Sequence, residues 1–269
     1  MDTCPRPWKR REVTVSREVW LVFSREMRHR YRQPTWLVMG LAQPVLFMFF
    51  FGPLLKKFVA YTPGFPPGGA WQVFAPALMI QMVIVGSSFV GVGLLSEYRS
   101  GVLERFRVTP MSPAALLLGK VLTVAFNVLI QAGVIVLVCH LAFRVDPPLV
   151  GMAVCMLMVA ALSLAIASCS YALALRIRNE ESLMASLNAL LMPLFLLSGT
   201  FLPITAELAP SWLYRLSRVN PVAHVMDAGR AGFRGDYSVH ALLPGSAAAF
   251  AMAVLSLWWA VRTFSRLDV

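Results

Sequence analysis

What this sequence lacks most is charge. Only 14% of its 269 residues are charged, while 58% are hydrophobic. A soluble domain carries about 25% charged residues. With a mean hydropathy of +0.68, the chain reads as an integral membrane protein. Its apolar runs hold no Asp, Glu or Arg in their middles. Ion-coupled pumps use such groups as relays inside the membrane, so a transporter that drives itself is disfavoured. Two matching broken helices, the mark of an inverted-repeat secondary transporter, are also missing. Cysteine is scarce: Cys4 lies near the start, Cys139, Cys155 and Cys169 lie in apolar runs, and there is no CxxC pair. Neither disulfides nor a metal site are expected. The absence of GxSxG removes the elbow of a serine hydrolase. No phosphate-cradling GxxxxGK[ST] occurs: Gly119-Lys120 has Ala114 where the first glycine belongs and is followed by Val121. The chain is thus expected to bind no ATP in the usual way, and no catalytic residue or cofactor is assigned to it. The basic N-terminus lacks an apolar core with a cleavage site and does not read as a signal peptide.

What is present is a series of apolar runs separated by basic segments. Residues 1–34 read as a polar tail and then a basic amphipathic helix. Val15, Val19, Trp20, Val22, Phe23 and Met27 share one face, with Arg17, Arg25, Arg28 and Arg32 on the other. Such a helix is expected to lie along a membrane surface. Six spans follow over residues 35–269: Thr35–Leu55, Ala70–Leu95, Ala114–Phe143, Leu149–Leu175, Ser182–Leu202 with Pro193 as a kink, and Ala241–Val261. Twenty-one residues of helix reach roughly 30 Å, one hydrocarbon thickness. The fold class is therefore an all-α membrane protein. Residues 203–240, broken by Pro203, Pro210, Pro221 and Gly235, hold pieces too short to cross. They read as short re-entrant helices or a surface cap on the outer side.

The net charge of +11 sits in loops, where it meets anionic lipid head groups rather than nucleic acid. Of 24 Lys and Arg, 17 fall in the tail, the segment Glu97–Lys120, the loop Arg176–Glu181 and the C-terminus. The positive-inside rule then places both termini in the cytoplasm. Inside the spans the polar residues are Asn127, Gln131 and His140, then Ser163, Ser168 and Ser170, then Asn188. They read as interhelical hydrogen-bonding groups.

Residues 96–120 form the densest charged block between two apolar runs. Glu97, Arg99, Glu104, Arg105 and Arg107 fall within eleven residues, and Lys120 follows where it can snorkel at the start of the next span. Leu103–Val108 is long enough for one or two helical turns, Pro110 and Pro113 stop a helix, and Pro113 can begin the next. A short charged helix clamped between two spans suits the gripping of a partner.

This block resembles the first cytoplasmic loop of type-2 ABC exporter permeases, especially those of the daunorubicin-resistance kind. The resemblance is carried by Arg99, Gly101, Leu103, Glu104 and Pro110, then Leu116-Leu117-Leu118-Gly119-Lys120. A second match is Leu197-Ser198-Gly199-Thr200-Phe201-Leu202-Pro203, and a third is Asn220-Pro221 with Asp227, Ala228 and Arg230. The resemblance implies a separate ABC ATPase subunit that binds the ATP. It also implies a second permease copy or paralogue and a location in the cell (plasma) membrane. The ATPase-coupling loop would comprise Glu97, Arg99, Gly101, Leu103, Glu104, Arg105, Arg107 and Pro110. In a dimer of that type the second span lines the path with Gln81, Met82, Ser88 and Phe89, and the fifth with Asn188, Phe195 and Ser198. Walls without charge suit a hydrophobic or amphiphilic cargo, drug or lipid-like, carried out of the cytoplasm. Export of a polysaccharide or lipid-linked glycan, or a scaffold that transports nothing, remains open at this point.

Overall fold

The computed structural model describes residues 15–32, 35–61, 69–100, 112–145, 147–201 and 203–265. Among these residues there are ten helices and no strand. In chain order they are α1 Val15–Tyr31, α2 Thr35–Tyr61, α3 Ala70–Ser88, α4 Val90–Arg99, α5 Pro113–Phe143, α6 Leu149–Ile177, α7 Glu180–Leu196, α8 Ser211–Val219, α9 Pro221–Arg234 and α10 Val239–Ser265. Four stretches are long and apolar enough to cross a membrane: α3 with α4 over Ala70–Arg99, α5 over Ala114–Phe143, α6, and α10 over Val239–Phe264. α2 contains a shorter apolar stretch, Val38–Leu54, and α7 has 17 residues.

α6 is the central post, packed by α3, α4, α5, α7, α9 and α10. Beside the larger Met158, Leu162 and Tyr171, much of its buried surface is small: Ala161, Ser163, Ala165, Ala167, Ser168, Ser170, Ala172 and Ala174. Small side chains let apolar helices approach closely where no water drives them together. At one end Gly151 of α6 crosses Gly232 of α9, and a Cβ on Gly151 would overlap the Gly232 carbonyl oxygen. The same backbone N–H of Gly151 donates to Tyr237 Oη at 3.2 Å.

Four expectations change. The second apolar run is not one uninterrupted helix. It breaks at Phe89 (φ −88°, ψ 1°) and then continues to Arg99, so Glu97 and Arg99 sit on α4 rather than in a loop. The break is repaired by one hydroxyl: Ser170 Oγ of α6 donates to the Ser88 carbonyl and accepts from the Gly91 N–H at 3.0 Å. The polar segment Arg176–Glu181 shrinks to Arg178 and Asn179. Arg178 takes the left-handed conformation that ends α6, and the Asn179 side chain accepts from the Glu181 and Ser182 N–H groups to start α7. α7 then stops at Leu196, six residues before the expected end at Leu202. Finally, of the two readings of residues 203–240, a cap merely lying on the surface does not describe α9, because ten of its residues, from Val222 to Phe233, are buried against α3, α6 and α10.

The Gly151–Gly232 crossing gives a direct test. Gly151→Ala forces the two backbones apart and is expected to cost about 1–3 kcal/mol, the range for overpacked cores. Gly93→Ala, inside α4 where a Cβ meets nothing within 4 Å, is expected to cost nothing and to gain up to about 1 kcal/mol from helix propensity. Thermal melting of the purified variants compares the two.

Candidate functional site

The charged block stands on a base built from α1, α4 and α5. Lys120 is 6% exposed, so it does not snorkel to water as its position suggested. Its ammonium donates to Glu97 Oε1 at 2.9 Å and Oε2 at 2.8 Å on α4, and to Glu26 Oε1 at 3.1 Å on α1. Two carboxylates around one buried cation replace the hydration it loses.

α1 reaches this cluster because it docks on α5. The apolar face expected from periodicity divides. Val22 and Met27 are buried, while Val15 and Trp20 are exposed. The docking stripe is Glu18, Val22 and Glu26, four residues apart and therefore on one face. Gly119 allows the contact, since a Cβ there would stand 2.6 Å from Val22 Cβ. Phe23 meets Phe126 edge-on at 5.7 Å. Glu18 is buried, and its Oε2 accepts from the Ser112 N–H at 3.1 Å and the Ser112 hydroxyl at 3.0 Å. Ser112 is in turn the N-cap of α5, its Oγ accepting from the Ala115 N–H at 3.2 Å, with Pro113 following as expected. The two feet of residues 101–111 are thus joined: Glu97 before them is bonded to Lys120 of α5, and Lys120 and Ser112 after them are bonded to α1. Arg99 adds a solvated pair with Glu180 at 3.5 Å, an exposed contact of little energy. Gly101, Leu103, Glu104, Arg105, Arg107, Pro110 and the expected helix Leu103–Val108 lie outside the described residues.

A second polar knot closes the opposite end. Arg230 of α9 is 2% exposed and donates to the Val73 carbonyl at 3.3 Å and the Gly199 carbonyl at 2.6 Å. Burial pushes its guanidinium down to about 10, opposed by nearby Asp227, so it is charged at neutral pH. Asn220 caps α9 by accepting from the Val222 N–H at 3.0 Å, and its Nδ2 donates to the Leu194 carbonyl of α7 at 2.7 Å. The Asn-Pro pair marked the start of α9; nothing in the sequence marked Arg230 as a buried tie.

The residues expected along the path do not meet in one cleft of a single copy. Gln81 and Met82 wall a cavity between α2, α3 and α5. Ser88 is buried, its hydroxyl turned back on the Ile84 carbonyl. Phe89 packs toward Leu183 and Leu187 of α7. Asn188 is exposed, and Phe195 meets Phe201 edge-on at 5.1 Å. Ser198 is buried and pairs with Thr200 at 2.5 Å. Of the polar groups inside the helices, Ser163 does bridge to Ser87 at 2.9 Å. Asn127 bonds the Thr123 carbonyl of its own helix at 2.7 Å, and its Nδ2 lies 3.8 Å from Met27 Sδ of α1. Gln131 Nε2 and Ser168 Oγ have no partner among the described residues.

A family model described as ABC-2 type transporter matches residues 17–233, from α1 to the end of α9. The chain is 27% identical over 194 residues to the daunorubicin resistance ABC transporter permease protein DrrB1 of Streptomyces coeruleorubidus, covering 70% of this chain and 68% of that one. It is 25% identical over 211 residues to the putative transport permease ycf38 of Cyanophora paradoxa, covering 78% and 72%.

Removing the ammonium leaves two carboxylates facing each other without a cation. Lys120→Met is expected to cost about 2–3 kcal/mol, below the full range for a buried pair because Glu97 is one-third exposed. The Lys120→Met, Glu26→Gln, Glu97→Gln triple variant is expected to recover most of it. Urea or thermal melts measure both, and limited trypsin digestion is expected to cut α1 faster in the single variant.

Proposed function

This chain belongs to the ABC-2 type transporter family, and from that premise we propose that it is the membrane subunit of an ATP-driven exporter. The family consists of permeases that work with an ATPase subunit. In our reading a separate subunit binds the ATP and seats residues 101–111 in a cleft. Glu104 and its neighbouring arginines make the contact, and the chain itself carries no catalytic group. The observation that carries this reading is the base around Lys120. A push on the loop cannot be absorbed locally when its first foot is tied to α5 by Glu97–Lys120, and α5 is tied to α1 by Lys120–Glu26 and the Glu18–Ser112 bonds. It passes into α4 and α5, and through α4 into the Phe89 joint.

α2 and α7 complete six spans in this proposal. α7 begins beside Arg99 and ends beside Asn220, so it runs between the same two ends as the longer helices. Both termini and the Lys120 base lie in the cytoplasm, α8 and α9 form the outer, re-entrant cap, and the protein sits in the plasma membrane among anionic lipids. A second copy or a paralogue covers the exposed face of α7, where Met184, Asn188 and Met192 stand free of this chain's own packing. Phe89, Asn188 and Phe195 then approach the shared axis. The cargo is hydrophobic or amphiphilic, because apolar and weakly polar walls offer no partner to a buried charge.

Two results are expected. Glu104→Lys leaves the permease inserted at wild-type amounts but lowers cargo-stimulated ATP hydrolysis and export at least tenfold in vesicles holding permease and ATPase together. Unchanged export removes the coupling assignment. In a background without the native cysteines, Asp146→Cys reacts with an impermeant thiol reagent added to intact cells, and Arg178→Cys does not. The reverse pattern inverts the topology.

A further inference from the structure

One cavity is left over from the packing just described. It has a volume of about 180 Å³ and lies within a single copy, between Gly40, Pro44 and Phe47 of α2, Gln81 and Met82 of α3, and Gln131 of α5. No charged residue lines it. Its rim carries Met39 and Val85, both exposed on the apolar flank of the bundle, so it opens sideways toward lipid. Its polar side chains are the amides of Gln43, Gln81 and Gln131, and of these three Gln131 alone is buried. That side chain is 97% buried, and its Nε2 donates to nothing among the described residues. A buried amide donor without a partner costs roughly 1–3 kcal/mol. Gly40 makes room for it, because a Cβ there would stand 2.6 Å from Gln131 Nε2. Pro44 has no N–H, so the Gly40 carbonyl four residues earlier also loses its usual helical donor.

We propose that this cavity binds a small neutral hydroxyl-bearing amphiphile entering from the lipid, its rings against Phe47 and Met82 and its hydroxyl on Gln131. A hydroxyl both accepts and donates. It can take the Gln131 N–H and return a proton to an acceptor on the Gly40–Pro44 wall. A cavity near 150 Å³ holds a benzene ring, so this one has room for one or two fused rings. The absence of lining charge selects against an ionised molecule. Methionine and phenylalanine adapt to rings of different outline. The site is inside one protomer, away from the axis assigned above to the main path. That its occupant is cargo, held before it reaches the axis, rests on the export reading; that the cavity binds does not.

The test uses the full permease in nanodiscs, without an ATPase. 5-Azido-1-naphthol is photolysed in the presence of rising 1-naphthol or naphthalene, and labelled peptides are read by mass spectrometry. Saturable label on α2, α3 and α5, displaced by 1-naphthol, is expected. Gln131→Leu is expected to weaken 1-naphthol competition about fivefold, one hydrogen bond's worth, and to leave naphthalene competition unchanged. Gly86→Leu keeps the helix and fills the cavity, since a Cβ at Gly86 meets nothing within 4 Å. It is expected to abolish saturable labelling while melting at the wild-type temperature. Saturable labelling that survives Gly86→Leu overturns the site, and so does equal loss of both competitors in Gln131→Leu. Binding that holds while reconstituted export fails overturns the export reading instead.

Discussion

A buried ammonium in an apolar bundle has to be surrounded by anions, and that constraint organises the end of this protein where α1, α4 and α5 meet. Lys120 sits a quarter of the way along a helix whose surroundings are otherwise hydrocarbon, and it is nearly inaccessible. Removing a cation from water costs several kcal/mol even after relaxation. The two carboxylates that offset this come from distant parts of the chain, Glu26 before the first long helix and Glu97 at the end of α4. Their meeting fixes the position of α1 and the reach of α4 together. Glu18 on the Ser112 cap then sets the rotation of α1 about that point.

Three other polar side chains serve the backbone. An apolar interior has no water to satisfy a broken helix or a helix end. Ser170 supplies both a donor and an acceptor at Phe89, Asn220 caps α9 while answering a carbonyl of α7, and Arg230 gathers carbonyls from α3 and the turn after α7. Each is a single side chain that reaches two elements. Gln131 departs from this pattern, its amide turned toward a cavity and not toward a backbone group.

Much of this was written in the order of the residues. Runs of twenty and more apolar residues announce membrane helices, Pro113 announces the start of α5, and Asn220-Pro221 announces α9. The Glu97–Lys120 block stood out by its charge. Its architecture was not legible, because burial of Lys120 depends on Glu26, 94 residues away. Periodicity sorted α1 by hydrophobicity alone and so assigned Glu18 and Glu26 to no face, although both point into the contact. The break at Phe89 had a local signal that went unused, Gly86-Ser87-Ser88 before it and Gly91 after it. The hydroxyl that makes the break tolerable belongs to another helix. The depth of α9 was open for a related reason. Its length is too short to cross, and only the alanines and glycines on one side let it sink between three neighbours.

The two bonds at Ser170 have a mechanical corollary. A hydroxyl that grips the carbonyl on one side of a joint and the amide on the other braces that joint against α6 from both sides. α4 is about ten residues long, roughly 15 Å, with Glu97 near one end and the joint at the other. Ser170 and Lys120 thus pin the same short helix at its two ends, which makes it a strut and not a swinging arm.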